Sequence, residues 1–128
     1  MKFLRNWGPA IAWAALIFSL SSIPSLHSGF ACDFLLRKMA HVTEYFVLTF
    51  LLYRALKNSF GLQGFYLTAV LASISLLYAI SDEFHQIFVV GREGCPRDVL
   101  IDSLGIIGFY LLTRILRRRA ASQESGAL

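Results

Sequence analysis

The sequence predicts an all-α membrane protein, folded as a four-transmembrane-helix antiparallel bundle. Hydrophobic residues make up 56% of the 128 residues and charged residues 16%, whereas an average soluble domain is about 45–50% apolar and about 25% charged. The mean hydropathy is +0.60. Four apolar runs also approach the roughly 20 residues that a helix needs to cross a bilayer. Composition and run length together favour lipid as the surroundings of these helices.

The first and third helices, predicted at about residues 7–23 and 62–88, are identified by uncharged runs. The first run follows Lys2 and Arg5 and closes at Pro24, and the third begins inside an uncharged stretch that extends from Asn58 to Ser81. A positive flank before an apolar run is also how secretory signal peptides begin. Because no small-residue cleavage triplet follows it, we expect the first helix to remain uncleaved.

The second and fourth helices, predicted at about residues 37–56 and 98–116, each begin with charged residues and continue without charge. A charged side chain at the bilayer centre costs about 2.5–3.5 kcal/mol on insertion scales, so these polar turns are expected near the membrane surface. We predict a single domain, residues 1–119, followed by a disordered tail, residues 120–128.

The distribution of positive charge predicts the orientation. With four crossings, both chain ends and the second link share one side of the membrane, and this side holds eight of the 12 lysines and arginines. The positive-inside rule then predicts a multi-pass protein of the cytoplasmic (inner) membrane with both termini in the cytoplasm. The eight are Lys2, Arg5, Arg54, Lys57, Arg114, Arg117, Arg118 and Arg119, and the other four are Arg37, Lys38, Arg92 and Arg97.

Charge and cysteine content exclude several classes of protein. The formal net charge is +4, but long uncharged runs separate the basic residues, so we expect no nucleic-acid partner. Two cysteines, Cys32 and Cys95, are too few for a disulfide framework or a four-cysteine zinc site. An external disulfide between them would suit an oxidising periplasm. We expect unpaired thiols, because a bridge needs a geometry that the sequence does not specify.

Polar residues of three helices are predicted to meet near the external surface. Positions three and four apart share a helix face, and about 100° per residue brings several polar groups into one arc on each helix. Glu83 is displaced from the arc of its helix. The arcs contain Lys38, His41, Glu44 and Tyr45 on the second helix, Ser75, Tyr78, Asp82, His85 and Gln86 on the third, and Asp98, Asp102 and Gly105 on the fourth.

These blocks resemble the VanZ-like family of membrane proteins. The resemblance covers residues 37–108 and rests on Arg37-Lys38-x-x-His41-x-x-Glu44-Tyr45, Ser81-Asp82-Glu83-x-His85-Gln86, Gly91-Arg92 and Asp98-Val99-x-x-Asp102-x-x-Gly105. It implies a role at the cell envelope, where the family is associated with reduced susceptibility to glycopeptide antibiotics such as teicoplanin. The family pattern favours asparagine where this chain has Asp102, so the site of this chain would carry one more acid.

Three interpretations of the polar cluster remain open. Our preferred hypothesis is recognition of an anionic membrane lipid or lipid-linked cell-wall intermediate, with a ligand-binding set of Lys38, His41, Glu44, Tyr45, Asp82, Glu83, Gln86, Arg92, Asp98 and Asp102. The second is a membrane-embedded hydrolase or transferase for a lipid-linked substrate, with His41, Glu44, Asp82 and His85 as candidates for catalysis. These same four residues are the metal candidates, although the sequence requires no cofactor. The third is a purely structural network.

Overall fold

The computed structural model describes residues 1–24, 33–92 and 94–125, and these residues form four α-helices and no strand. The predicted all-α bundle of four helices is confirmed. The helices are α1 (Lys2–Ser21), α2 (Asp33–Phe60), α3 (Gly64–Gln86) and α4 (Pro96–Ser125).

Consecutive helices run antiparallel, and α2 packs against the other three. The start of α1 lies at the end of α2, where the indole N–H of Trp7 donates to the Ser59 hydroxyl over 3.0 Å. The end of α1 lies at the end of α3, where Ser21 donates to Asp82. Consequently α1 and α3 point one way, and α2 and α4 point the other way.

A short link sets the antiparallel arrangement of α2 and α3. Gly61 has a φ of +62°, a left-handed conformation that costs glycine little and other residues more. Its N–H donates to the Lys57 carbonyl over 3.0 Å, which closes the last turn of α2. With α3 beginning at Gly64, the chain reverses within a few residues.

The bundle is apolar outside as well as inside. Buried apolar side chains fill the space between the helices, among them Ile17, Leu48 and Leu71. The outer faces carry large hydrophobic residues too, such as Leu77, which is 65% exposed, and Leu111, which is 55% exposed. Two described helices, α3 and residues Pro96–Gln123 of α4, are long and apolar enough to cross a membrane. Such extended apolar surface is typical of a protein that faces lipid.

The helices differ from the predicted ranges chiefly at their ends. The α1 helix starts at Lys2, before the predicted start. An apolar run identifies only the part of a helix that suits hydrocarbon, and the backbone hydrogen bonds of the helix continue beyond that part. Residues 120–125, predicted as disordered tail, instead extend α4 to Ser125. Alanine, glutamine and glutamate in this segment are good helix formers, which explains the extension. Residues 126–128 lie outside the described ranges.

Candidate functional site

α2, α3 and α4 bring acidic, basic and imidazole side chains to one level of the bundle. Lys38 and Asp98 form an ion pair between the first turns of α2 and α4. One turn further along, His41 Nδ1 and Asp102 Oδ1 are 2.9 Å apart. Asp102 is completely buried. The predicted meeting of polar groups from these helices is therefore present at α2 and α4 as two successive charged contacts.

Glycine at position 105 allows these contacts. A Cβ atom added there would collide with the Val42 carbonyl oxygen and lie 2.8 Å from the Phe46 backbone nitrogen. The two backbones are thus packed as closely as a side-chain-free residue permits, in the manner of small-residue interfaces between membrane helices. This close approach brings His41 within hydrogen-bond distance of Asp102.

Asp82 connects α1 to α3. Ser21 at the end of α1 donates to its Oδ1 over 2.6 Å, and the Gln86 amide donates to its Oδ2 over 3.1 Å. All three side chains are buried. Ser21 is not among the predicted site residues; its signal in the sequence is a small hydroxyl residue at the end of an otherwise apolar run.

Glu83 is buried on the side of α3 that faces the link to α4, with 4% of its surface exposed. Its Oε2 accepts the Cys95 backbone N–H over 3.0 Å, and its Oε1 lies 3.4 Å from the Gln86 amide nitrogen. Helical spacing displaces Glu83 from the polar arc only if α3 has a single inner face. In the structure α3 has two inner faces, since it packs against both α2 and α4.

A polar cavity of about 160 Å³ opens between α1, α2 and α3. The Arg92 side chain, on its wall, donates through Nη2 to the Leu20 carbonyl over 2.8 Å and through Nε to the Ile23 carbonyl over 3.1 Å. Arg92 therefore satisfies carbonyls at the end of α1 while facing the cavity. The polar residues that line it are Ser21, Arg37, His41, Glu44, Asp82, Gln86 and Arg92.

Several predicted site residues lie outside the lining of this cavity. His85 Nε2 is 3.0 Å from the Ser22 hydroxyl, and its ring packs 4.4 Å from the Phe18 ring, measured between centroids. Tyr45 is completely buried, with its ring 6.3 Å from that of Tyr78. Lys38 and Asp98 are engaged with each other. The predicted set is thus divided between the cavity, the core and the α2–α4 contact.

The residues best arranged to hold a metal ion differ from those proposed from the sequence. Donor atoms of His41, Glu83 and Asp102 all lie within 4.8 Å of one another. The sequence pattern instead pairs His41 with Glu44, and Asp82 with His85, by their spacing along single helices. Of the four, His41 alone belongs to the cluster found among the described residues. Cys95 is a free thiol, and Cys32 lies outside the described residues.

Two larger cavities lie at the opposite end of the bundle. One, of about 440 Å³, is lined by apolar residues with Arg114, Arg117 and Arg118 at its edge, and the other, of about 630 Å³, lies beside the start of α1. Neither lining contains a histidine or a carboxylate. The histidine and carboxylates that line a described cavity are thus found in the smaller one, which contains His41, Glu44 and Asp82.

Comparisons with known proteins agree with the membrane architecture. The model of the VanZ/LLP1 family matches residues 2–117. The chain is also 38% identical over 84 residues to the uncharacterized membrane protein YwnJ of Bacillus subtilis (strain 168), covering 66% of this chain and 53% of that protein. The chain thus spans about half the length of the curated relative it matches. No solved structure matches it significantly.

Proposed function

The chain belongs to the VanZ/LLP1 family, and on this basis we propose that it binds the headgroup of an anionic amphiphile, either a membrane lipid or a lipid-linked cell-wall intermediate. The observation that carries the proposal is the polar cavity between α1, α2 and α3. It contains the guanidinium groups of Arg37 and Arg92 beside the carboxylates of Glu44 and Asp82. Such a wall offers donors to a phosphate and acceptors to the hydroxyl or amine groups of the same ligand.

The hydrogen bonds of the cavity residues support a wall in which carboxylates accept from the ligand and guanidinium groups donate to it. Asp82 already accepts hydrogen bonds from Ser21 and Gln86, which stabilise its charge inside the bundle. Arg92 uses its two described bonds to hold carbonyls of α1. A guanidinium carries five N–H donors, so further donors are available to a ligand phosphate.

The volume of the cavity limits the size of the ligand group that it can hold. Ligand pockets that enclose a whole small molecule measure about 300–1,000 Å³, and this cavity measures about 160 Å³. It therefore accommodates one polar group, such as a phosphate, while the rest of the amphiphile lies along the outer surface of the bundle. The exposed hydrophobic residues around α1 and α3, such as Phe18 and Leu77, provide a surface for an acyl or polyprenyl chain.

We further propose that the protein resides in the cytoplasmic membrane with both termini in the cytoplasm, so that the cavity opens toward the cell envelope. The basic residues at the ends of α1, α2 and α4 support this orientation, because the Arg54 guanidinium donates to the Arg5 carbonyl and Arg117 lies beside Tyr53. The expectation of reduced glycopeptide susceptibility, drawn from the family resemblance, stays a prediction.

The binding proposal is tested with purified protein in phosphatidylcholine nanodiscs. Replacing part of the phosphatidylcholine with phosphatidylglycerol or undecaprenyl phosphate is expected to raise the melting temperature of the wild-type chain. Arg92→Gln and Arg37→Gln should each lose most of this rise, because each removes a phosphate donor from the cavity. Arg97→Gln is the matched control, since Arg97 is exposed at the start of α4, outside the cavity.

Each outcome distinguishes the ligands or rejects the site. An equal rise with both lipids indicates any phosphate headgroup, and a larger rise with undecaprenyl phosphate indicates the cell-wall carrier. Arg92 also holds the end of α1, so Arg37→Gln decides the test if Arg92→Gln fails to fold. An undiminished rise in the folded cavity variants, or an equal loss in Arg97→Gln, would exclude this cavity as the headgroup site.

A second candidate, hydrolysis or group transfer on a lipid-linked substrate, is favoured by one observation. His41 lines the cavity, and its Nδ1 is 2.9 Å from a buried Asp102 oxygen. A carboxylate that orients an imidazole is a common arrangement for a general base. Release of inorganic phosphate from undecaprenyl phosphate, abolished by His41→Gln, would favour this candidate over binding alone.

A further inference from the structure

A cluster of three polar side chains lies where α2, α3 and α4 meet. His41, Glu83 and Asp102 each offer one donor atom, and these atoms lie within 4.8 Å of one another. Glu83 is 4% exposed and Asp102 is 0% exposed. Three helices therefore direct a nitrogen and two carboxylate donors toward one small, buried volume.

Among the residues that the structure describes, no ion pair joins a lysine or arginine to Glu83 or Asp102. One imidazole neutralises at most one of the two carboxylates, even when protonated. The nearby basic residues have other partners: Lys38 pairs with Asp98, and Arg92 donates to carbonyls of α1. Buried carboxylates without a compensating cation are strongly disfavoured, and the cost persists in a membrane protein.

Asp102 also has an oxygen with no protein partner. Its Oδ1 lies 2.9 Å from His41 Nδ1, whereas Oδ2 is buried without a hydrogen bond to any residue that the structure describes. Most buried polar atoms of native proteins do have a partner. An acceptor left without one, at the centre of a cluster with excess negative charge, points to a cation.

We infer that His41, Glu83 and Asp102 form a binding site for a divalent transition-metal ion such as Zn²⁺ or Mn²⁺. One imidazole nitrogen and two carboxylate oxygens are donors that both ions accept, whereas Mg²⁺ and Ca²⁺ prefer oxygen alone. Ligand atoms of a tetrahedral zinc site are about 3.3 Å apart, given bond lengths of about 2.0–2.1 Å. The spacing of this cluster requires only small side-chain adjustments to reach that geometry.

The surroundings suit a metal that also reaches the cavity. The Cys95 backbone N–H donates to Glu83 Oε2 over 3.0 Å and so orients this carboxylate, as partners of metal ligands commonly do. His41 lies on the cavity wall. Three protein ligands leave a coordination position for another molecule.

The test uses the full chain, purified in detergent and stripped with a chelator. ZnCl₂ and MnCl₂ are added separately, and bound metal per chain and melting temperature are measured. We expect one ion per chain and a higher melting temperature with at least one of the two metals. Asp102→Asn and Glu83→Gln should each weaken binding at least tenfold, since loss of even a residue that hydrogen-bonds a metal ligand weakens binding by about 10–100-fold.

His85→Gln is the matched control, because His85 lies outside both the cavity lining and the metal cluster. Its metal affinity should stay within about twofold of wild type. Asp102→Asn removes an uncompensated buried charge with little change of shape, so the metal-free variant should be at least as stable as the metal-free wild type. This expectation separates lost ligation from failure to fold.

Two results would overturn the inference: no stoichiometric Zn²⁺ or Mn²⁺ on the wild-type chain, or folded Asp102→Asn and Glu83→Gln proteins that bind metal as the wild type does. The inference goes beyond headgroup binding and is independent of it. Arg37→Gln is expected to lose the lipid effect and keep the metal, so that failure of one proposal is distinguishable from failure of the other.

Discussion

Gly105 lies where the backbones of α4 and α2 come closest. The contact brings His41 beside Asp102, so a residue without chemistry of its own determines the geometry of the titratable pair. Gly108, one turn further along α4, has more room, since a Cβ there would be 3.6 Å from the Phe46 ring. The two glycines therefore make a matched pair on one helix face.

Gly105→Ala is expected to lower the free energy of unfolding by about 1–3 kcal/mol. The added methyl group would collide with backbone atoms of α2, which cannot move aside as a flexible side chain can. The free energy of unfolding, measured by denaturant titration in detergent, checks the value. Gly108→Ala should be neutral or slightly stabilising, since alanine is the better helix former. Equal effects of the two substitutions would contradict the proposed backbone contact.

At the scale of a single element, α1 is held by hydrogen bonds between side chains and backbone carbonyls, some donated by α1 and some by its neighbours. The Trp13 indole donates to the Glu44 carbonyl over 2.9 Å, and the Tyr78 hydroxyl donates to the Ala14 carbonyl over 2.7 Å. Arg92 adds two more bonds at the end of the helix. These contacts position Ser21 beside Asp82, and α1 thereby forms one wall of the cavity.

Tyr78→Phe tests this attachment, because it removes the hydroxyl and keeps the ring. We expect a loss of about 1 kcal/mol in the free energy of unfolding, the typical net value of one hydrogen bond, and faster amide exchange near Ala14. Tyr66→Phe is the control, since the Tyr66 side chain lies on the outer surface and is 74% exposed. If both variants behave like wild type, the bond to α1 contributes little.

The whole molecule sorts its charges between two ends. Basic residues from α1, α2 and α4 gather at one end, as the contacts of Arg5 with Arg54 and of Tyr53 with Arg117 indicate. The carboxylates of Asp82, Asp98 and Asp102 lie at the other end with the polar cavity. Which of the two ends faces the cytoplasm depends on the orientation of the bundle in the membrane.

Cysteine labelling in intact cells tests the orientation. In a chain with Cys32→Ser and Cys95→Ser, a membrane-impermeant maleimide should label Arg97→Cys directly and Asn58→Cys only after the membrane is disrupted. Both positions are exposed at the ends of helices, and the Cys95 contact to Glu83 uses the backbone, which serine retains. The reverse labelling pattern would mean that both termini lie outside and that the cavity faces the cytoplasm.

Much of the site was predictable because helical spacing is a local property. The spacing of Lys38 and His41, and of Asp98 and Asp102, placed these pairs on matching faces of α2 and α4, where they contact each other in the structure. Ser21 was not predictable in this way, because the apolar run of α1 has no charged residue near Ser21 that would mark a polar face. The extent of α4 does not follow from hydropathy, because a polar segment such as residues 120–125 can continue a helix beyond its apolar run.

The sequence by itself determined the number of helices, their order and the level at which polar groups collect, because these follow from the length of apolar runs and the cost of dehydrating charge. Only the tertiary structure decided which acid meets which imidazole. Helical periodicity defines an arc on each helix, but the rotation of that helix about its axis depends on side-chain packing with its neighbours. The position of Glu83 between α2 and α4, with Cys95 N–H against its carboxylate, therefore brings it to the cluster of His41 and Asp102.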